Sequence, residues 1–381
     1  MPQRIPSTSA VLVDAARTPF GKRDGALSGV HAADLLGAVQ RGVLDRTGVA
    51  PDSVGQVIGG CVTPIGEQFG NITRTAWLHA GLPAATGATT IDAQCSTALQ
   101  AVLLVAGQIA TGSLDVGLAC GVEVMSRVPL TPKSGRGLGT PRPENWALDT
   151  PDQYTAADRI AARRGFGRAD IDAYGLRSQR RAATAWRERR FARQIIPVAA
   201  GGGLVEKDEG LRDTSMAALA ALTPTKPDGL HTAGTSSQVS DGASAALLMS
   251  SRAAEETGVT PLARLTAHRV VGGDTEYLLD GPVEAASLLF ERTGMTVADI
   301  DLFEVNEAFA AVPMSFARVH GIAEDRLNVS GGAIALGHPA GATGIRLLAT
   351  ALAELERRDA STAMIAICAS AATSCLILER L

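Results

Sequence analysis

The sequence predicts an α/β protein made of two similar halves, with a long insert in the first half. Residues 34–60 and 282–308 both run through a helix, an Arg-Thr-Gly triplet, a short loop with an acidic residue and an apolar strand. The two triplets begin at Arg46 and Arg292, which lie 246 positions apart. Helices that alternate with apolar strands are typical of α/β architectures, so the simplest arrangement is two such units packed together.

Each half follows the same plan of strands and helices. The same offset brings the helix that follows Cys95 onto the helix predicted for Ala342–Leu355. Each half is expected to begin near a strand and to end in a strand pair. The predicted strands are Ala10–Asp14, Val116–Gly121 and Ala243–Met249 in the first half, and Leu262–Val271, Ala363–Cys368 and Cys375–Leu378 in the second.

The halves are predicted to span residues 1–260 and 261–381. An insert at about 122–241 separates the last two strands of the first half, and it differs from the rest in composition. Pro and Gly breakers flank helical stretches that are rich in Ala and Arg. We interpret the insert as a lid or loop domain that carries substrate contacts; a purely structural insertion is the alternative.

Composition excludes several classes of protein. A chain of 381 residues with 46% hydrophobic content can form two domains with sizeable cores. No apolar run approaches the ~20 residues that span a bilayer, and residues 1–10 lack a secretory signal, so a cytoplasmic protein without a membrane partner is expected. A net charge of −4 gives no general attraction to nucleic acid.

The cysteines lack CxxC spacing, which argues against a disulfide framework and a metal site; they are Cys61, Cys95, Cys120, Cys368 and Cys375.

A glycine-rich stretch around His338 is the first candidate for chemistry. Residues 328–344, NVSGGAIALGHPAGATG, place one imidazole among five glycines and before a predicted helix. Glycine lets the backbone take positive φ and approach a ligand closely. A catalytic histidine at a helix entrance would use this arrangement, and the alternative is a core histidine in an ordinary turn.

Two cysteines are candidate reactive thiols. Cys95 lies where an apolar strand meets a long apolar helix, and the helix dipole is expected to lower its pKa from ~8.5 toward ~7. Cys368 ends a very apolar strand and precedes the small residues ASAATS, where a second thiol could shuttle protons. Buried cysteine is also a common small core residue, which is the alternative for both.

The polar pair Asn306 and Glu307 follows a predicted strand, Asp299–Val305. Polar groups at the carboxyl end of a strand in an α/β sheet commonly face a ligand crevice. The Asn306 amide could orient water or donate to an oxyanion. Alternatively, it could cap a helix predicted for Glu307–His320.

Taken together, these motifs resemble the thiolase family along essentially the whole chain. The matching features are the setting of Cys95, NEAFA at 306–310, NVxGGAIALGHPxGATG at 328–344, and Cys368 thirty residues beyond His338. The resemblance implies the thiolase fold, in which the two α/β halves pack in five layers, α-β-α-β-α, with the insert as a loop domain. It also implies a homodimer or homotetramer that uses coenzyme A as a substrate and has no tightly bound cofactor.

The resemblance implies thiolytic cleavage of a 3-ketoacyl-CoA in a β-oxidation-type pathway. Cys95 would attack the 3-keto carbon and keep the acyl group as a thioester while acetyl-CoA leaves. His338 would take the proton from Cys95 and, with a water held by Asn306, stabilise the departing enolate. Cys368 would protonate that enolate and later deprotonate the incoming CoA. A biosynthetic condensing acetyltransferase and a CoA-binding homologue with weakened catalysis are the alternatives.

A second oxyanion hole would use the backbone N–H groups of Cys95 and Ser370. Thiolases usually follow the second cysteine with a glycine cluster, but this chain has Ala369–Ser374 there. If Ser370 has a positive φ, its side chain would displace this N–H and weaken turnover.

The insert indicates the substrate class. Short-chain thiolases carry a His-Met pair before a TAEN-like sequence, whereas this chain has Asp152–Arg159 at that place, which favours a larger acyl group. Several segments are similar to the branch that shortens CoA-linked steroid side chains, so a steroid or a medium or long acyl group is expected. The residues expected to contact CoA or substrate are Ser237, Ala308, Phe309, Arg212, Tyr154 and Met125, with Arg212 meeting the CoA phosphates.

Overall fold

The computed structural model describes residues 9–130 and 142–381. Residues 1–8 and 131–141, which include most of the N-terminal stretch considered above and part of the predicted insert, lie outside them. The strands are β1 (Ala10–Arg17), β2 (Gly21–Lys22), β3 (Gln56–Gly60), β4 (Gly87–Ile91), β5 (Val116–Val124), β6 (Val198–Ala200), β7 (Gly203–Val205), β8 (Ser240–Ser250), β9 (Ala263–Val271), β10 (Leu302–Val305), β11 (Thr362–Ile367) and β12 (Thr373–Arg380). The helices are α1 (Ala32–Thr47), α2 (Ile72–His79), α3 (Thr97–Ala110), α4 (Gln153–Arg164), α5 (Arg168–Arg187), α6 (Met216–Ala220), α7 (Ser251–Thr257), α8 (Gly281–Thr293), α9 (Ala311–His320), α10 (Ala333–Leu336) and α11 (Thr343–Arg358).

The predicted internal repeat is present in the strand register. β3 pairs in parallel with β5, where Gln56 lies beside Gly117, and β10 pairs in parallel with β11, where Leu302 lies beside Ala363. Both members of the second pair are 246 positions beyond those of the first. α11 also begins 246 positions after α3. The two halves therefore repeat the same unit, residue by residue, through the part of the fold that carries Cys95 and His338.

Ten strands of the described chain are connected in one mixed sheet. Their order is β10-β11-β12-β9-β1-β8-β5-β3-β4, and β2 pairs with β8. The halves join where β1 and β9 pair antiparallel, with Val11 beside Arg264 and Leu12 beside Ala263. The joint is therefore short, and most contact between the halves comes from packing rather than from strand pairing.

Alternate residues along the strands face different apolar cores. In β5, Ala119 belongs to a central cluster and Leu118 to an outer one; in β11, Ile365 is central and Met364 is outer. The central cluster contains α3 and α11, whereas α1 and α2 cover the outer face of the first half and α8 and α9 that of the second. Because side chains alternate between the two faces of a strand, this arrangement is five layers, α-β-α-β-α. The predicted fold is confirmed.

The insert leaves the sheet after Val124 and returns at Ser240. It packs chiefly on the opposite half, since α4 and the start of α5 join the outer core of the second half. The Arg164 guanidinium fixes this contact, donating to Ser315 Oγ at 2.9 Å and to Asp280 Oδ2 at 2.9 Å. The insert therefore brings its side chains next to the strand end that carries Asn306. No helix in the two described segments is long and apolar enough to cross a bilayer.

Candidate active site

Cys95 lies in the turn between β4 and α3. Gln94, immediately before it, has a positive φ of 54°, a backbone conformation that costs a non-glycine residue about 1 kcal/mol or more. Thr97 fixes the turn, because its Oγ1 accepts a hydrogen bond from the Ala93 N–H at 2.8 Å. Cys95 is only 6% exposed. The turn therefore places the thiol at the entrance of α3 while shielding it from water.

The prediction that the helix dipole lowers the pKa of Cys95 is wrong. Burial raises the pKa of Cys95 to about 12, and the nearby carboxylates Glu123 and Asp92 contribute to the rise. A backbone N–H at the helix entrance favours the thiolate, but the loss of hydration outweighs it. The resting nucleophile is consequently a neutral thiol, which needs a base to become reactive.

The backbone of His338 is held against the first half of the chain. Its N–H donates to Ser240 Oγ at 3.0 Å, and the ring is buried. Gly337, just before it, has a φ of 104°, and a Cβ at this position would lie 2.4 Å from Ser240 Oγ. Only glycine fits both the conformation and the space. This glycine of the motif therefore has a defined purpose: it brings His338 onto β8.

Hydrogen bonding fixes the tautomer of His338. Nδ1 lies 2.6 Å from Thr343 Oγ1, and the Thr343 hydroxyl donates its proton to the Pro339 carbonyl at 2.8 Å. Because a hydroxyl carries one proton, Thr343 can only accept from the ring, so Nδ1 is the protonated nitrogen. Nε2 is then an unprotonated acceptor, and it has no partner among the described residues.

The electrostatic surroundings keep the His338 ring neutral. Burial lowers the pKa of His338 to about 3, and the buried Arg346 guanidinium adds to the effect. A neutral imidazole with a bare, buried Nε2 is a general base rather than an acid at neutral pH. The ring thus has the protonation state that a base for a neutral thiol requires.

The segment after Cys368, including the start of β12, packs against the turn that carries Cys95. Ser96 Oγ donates to Ser374 Oγ at 2.7 Å, and the Ser370 hydroxyl donates to Gln94 Oε1. Burial, together with the proximity of Cys95, raises the pKa of the Cys368 thiol far above its usual range. Both thiols are therefore protonated at rest and close enough to influence each other.

The unusual sequence after Cys368 causes no backbone strain. None of residues 369–374 has a positive φ. The condition under which side chains would displace the Ser370 N–H is therefore not met, and replacing the family's glycines leaves this turn in ordinary conformations.

Asn306 presents a buried amide without protein partners. Its side chain is fully buried, and within the described ranges neither Oδ1 nor Nδ2 is hydrogen bonded. Its N–H donates to Ala366 O at 2.9 Å, which fixes the residue beside the end of β11. The alternative as a helix cap is wrong, because α9 begins at Ala311. Buried amides are normally hydrogen bonded, so this one is suited to a water or a substrate oxygen.

Comparison with known proteins identifies the family. The models of the N-terminal and C-terminal domains of thiolase match residues 10–252 and 259–380. The chain belongs to the thiolase family. The steroid 3-ketoacyl-CoA thiolase FadA6 of Mycobacterium tuberculosis is 40% identical, with 98% of this chain and 95% of the relative covered. An acetyl-CoA acetyltransferase of Chromobacterium violaceum is also 40% identical, over 94% of this chain and 95% of its own length.

Solved thiolase structures share the whole fold. Human mitochondrial 3-ketoacyl-CoA thiolase superimposes with a TM-score of 0.90 at 31% identity, covering 99% of this chain and 100% of that chain. The acetyl-CoA acetyltransferase of Bacillus anthracis gives the same TM-score at 32% identity, covering 98% and 99%. This thiolase is accordingly an acyltransferase that acts on acyl-CoA and uses CoA as a substrate, and members of the family require no tightly bound cofactor.

Four of the expected CoA contacts lie together in this thiolase. The Ser237 N–H donates to Ala308 O at 2.9 Å, and the rings of Tyr154 and Phe309 meet edge to face at 4.9 Å. The insert and the NEAFA segment thus contact each other, although each comes from a different half of the sequence.

The remaining two residues expected to contact CoA have other partners. Arg212 donates to the carbonyls of Ala233 and Ile334, at 3.1 Å and 3.4 Å. The Met125 N–H approaches Ser240 O at 3.4 Å, close to the His338 loop. Arg212 therefore links the insert to the glycine-rich stretch, whereas Met125 shares the partner Ser240 with His338.

The expectation that Glu307 faces a ligand is wrong. Its carboxylate accepts hydrogen bonds from Tyr174 Oη at 3.0 Å, Ser178 Oγ at 2.6 Å, Asn328 Nδ2 at 3.1 Å and the Ile334 N–H at 3.2 Å. It is an internal anchor that joins α5 to the glycine-rich stretch. Its position next to Asn306 was visible in the sequence, but its partners come from segments far along the chain.

Proposed function

We propose that this thiolase cleaves a 3-ketoacyl-CoA with CoA, through an acyl-enzyme on Cys95. The observations that carry the proposal are the bare, neutral Nε2 of the buried His338 and the proximity of the buried thiols of Cys95 and Cys368 to each other. Nucleophilic catalysis by a buried thiol requires a nearby base, and the ring has the tautomer for it.

In the first half-reaction, His338 Nε2 takes the Cys95 proton as Sγ bonds to the 3-keto carbon. The Cα–Cβ bond then breaks, the acyl group remains on Cys95 as a thioester, and the enolate of acetyl-CoA takes the Cys368 proton. We propose that the Asn306 amide binds a water molecule, and that this water and His338 together stabilise the enolate oxygen. Removing one oxyanion donor typically costs about 100–1,000-fold in rate.

In the second half-reaction, the Cys368 thiolate removes the proton of a new CoA thiol. The CoA sulfur attacks the thioester carbon, and the shortened acyl-CoA leaves as Cys95 regains its proton from the His338 imidazolium. Both thiols and the imidazole return to their starting protonation states. The backbone N–H groups of Cys95 and Ser370 would stabilise the tetrahedral oxyanions, a role compatible with the ordinary backbone of the Ser370 turn.

For the substrate, we propose a bulky acyl group such as a steroid side chain, or a medium or long chain. The support is the similarity to a steroid thiolase and the replacement of the short-chain His-Met pair by Asp152–Arg159. The proposed CoA-binding surface contains Ser237, Ala308, Phe309, Tyr154, Arg212 and Met125.

The test is thiolysis of purified enzyme with acyl-CoAs that range from acetoacetyl-CoA to steroid-linked 3-ketoacyl-CoAs. We expect acetyl-CoA to appear with a higher kcat/KM for the bulky substrates. Preference for acetoacetyl-CoA, or net condensation of acetyl-CoA, would favour the acetyltransferase alternative, which the relative from Chromobacterium violaceum supports. Tight CoA binding without turnover of any substrate would contradict the enzymatic proposal.

We further propose a homodimer or homotetramer located in the cytoplasm. β4 ends the strand order and is partly exposed, so its outer edge offers unpaired backbone groups to another copy. Light scattering coupled to gel filtration measures the assembly, and a monomeric mass would contradict it.

A further inference from the structure

One buried carboxylate of the first half contacts the catalytic loop of the second. Glu123, near the end of β5, is fully buried and accepts hydrogen bonds from the N–H groups of Val62 and Thr63 at 2.9 and 3.1 Å, and from Gln68 Nε2 at 3.0 Å. A fourth bond comes from the Gly341 N–H at 3.0 Å. Each carboxylate oxygen therefore has two N–H donors, one of the four belongs to the other half of the molecule, and the Cys61 thiol also lies 3.9 Å from Oε1.

The contact with Gly341 is too tight for any other residue. A Cβ on Gly341 would lie 2.4 Å from Val122 O and 2.8 Å from Glu123 Oε2. Gly341 follows His338 by three residues and precedes Thr343, which fixes the imidazole ring, by two. A shift of this peptide would move both the ring and the group that sets its tautomer.

The far end of the same stretch is held in a similar way. The Ile334 N–H, four residues before His338, donates to Glu307 at 3.2 Å. His338 therefore lies between two buried carboxylates, one supplied by each half of the internal repeat.

A carboxylate at this position is costly to bury. Burial raises the pKa of Glu123 to about 7, although four donors act in the opposite direction. A buried charge costs several kcal/mol before its hydrogen bonds are counted, and a neutral side chain would avoid that cost. Glu123 also raises the pKa of the Cys95 thiol, as Asp92 does to a smaller extent. A neutral residue that served only for packing would neither carry the cost of a buried charge nor raise the pKa of Cys95.

We infer that Glu123 is a positioning residue of the thiolase reaction, which ties the loop of His338 to the Cys95 half and thereby sets the distance between base and nucleophile. This inference rests on the proposed function for its kinetic consequences. Its structural part, the restraint on residues 338–343, is independent of turnover.

The test compares three variants. Glu123→Gln keeps the size of the side chain but puts an NH2 group opposite two N–H donors. Glu123→Asp keeps the charge but is one methylene too short to reach all four donors. Asp172→Asn is the matched control, because Asp172 is a buried carboxylate on α5 that binds Arg168 at 2.8 Å.

For Glu123→Gln and Glu123→Asp we expect kcat to fall about 10–100-fold with little change in the KM for CoA. Hydrogen exchange of the peptide that contains residues 338–343 should accelerate in both variants and remain as in the wild type in Asp172→Asn. Alkylation of Cys95 by iodoacetamide should shift to lower pH in Glu123→Gln but not in Glu123→Asp, because only the former removes the charge. Cys368 and Asp92 also lie near this thiol and are unchanged in all three variants.

The inference is overturned if hydrogen exchange at residues 338–343 stays as in the wild type in both Glu123 variants. It is also overturned if the Glu123 variants lose no more kcat than Asp172→Asn does for the same decrease in unfolding temperature. Wild-type enzyme that fails to thiolyse any substrate would contradict the proposed function instead, and the exchange experiment would still test Glu123.

Discussion

Nδ1 of His338 lies 2.6 Å from Oγ1 of Thr343, and this contact decides which ring nitrogen can accept a proton. The Thr343 hydroxyl donates its only proton to the Pro339 carbonyl, so the ring must donate from Nδ1. The chemistry assigned to His338 therefore depends on the Thr343 hydroxyl.

Thr343→Val should remove the hydrogen bond that keeps the proton of His338 on Nδ1. The His338 backbone keeps its hydrogen bond to Ser240, but the ring loses its acceptor at Nδ1, and we expect kcat to fall about 10–100-fold. The KM for CoA should change little. Thr343→Ser, which keeps the hydroxyl, should retain most of the activity; equal losses in both variants would show that the methyl packing matters instead.

Asn306→Ala should impair catalysis far more than folding. Neither polar atom of the amide has a protein partner within the described chain, so its removal breaks no internal hydrogen bond. We expect kcat to fall about 100-fold or more and the free energy of unfolding to change by about 1 kcal/mol or less. Steady-state kinetics and urea denaturation measure the two effects. A large loss of stability would indicate a structural role.

Alkylation of Cys95 should increase with pH without a plateau near 8.5. Since the pKa of this thiol is raised to about 12, the thiolate fraction below pH 11 rises about tenfold per pH unit. Quenched iodoacetamide reactions followed by mass spectrometry give the profile, and Cys95→Ala identifies the labelled site. A plateau at neutral pH would mean that an ion pair with His338 forms at rest.

The two cysteine variants should fail at different steps. Cys95→Ala should form no acyl-enzyme, because the atom that carries the thioester is absent. Cys368→Ala keeps the nucleophile but lacks the proton donor to the enolate, so its acyl-enzyme should form slowly and then persist when CoA is added. Intact-mass measurement after mixing with a 3-ketoacyl-CoA distinguishes the two. An acyl adduct in Cys95→Ala would refute the assignment of the nucleophile.

Ser370→Gly should not improve this thiolase, although it moves the sequence toward the usual glycine cluster. The backbone at Ser370 has no positive φ to relieve, and the change removes the hydroxyl that donates to Gln94. We expect kcat to stay equal or fall a few-fold, since a flexible residue would loosen the turn. Ser374→Gly, at the start of β12, offers a comparison in which the hydrogen bonds from Ser96 and Gln100 are lost instead. A marked rise in kcat would mean that Ser370 restrains the oxyanion hole.

The fold was largely predictable because its signals are local and repeated. The 246-residue offset is visible in Arg46 and Arg292 and returns unchanged in the pairing of Gln56 with Gly117 and Leu302 with Ala363. The elements least well predicted were those that depend on turn geometry. The segment Glu307–Ala310 looked helical, but it forms no helix, because the Glu307 side chain is engaged with α5 and the glycine-rich stretch.

The sequence by itself determined the two-fold α/β repeat and the candidate residues Cys95, His338, Cys368 and Asn306. Both follow from periodicity and motif spacing, which depend only on the order of residues in the chain. Only the tertiary structure decided how these groups are charged and held. The pKa of Cys95 follows from burial and from Glu123, twenty-eight residues away, and the position of His338 from a carboxylate on the other half. Desolvation and charge interactions depend on what packs around a group, and folding brings those neighbours from anywhere in the chain.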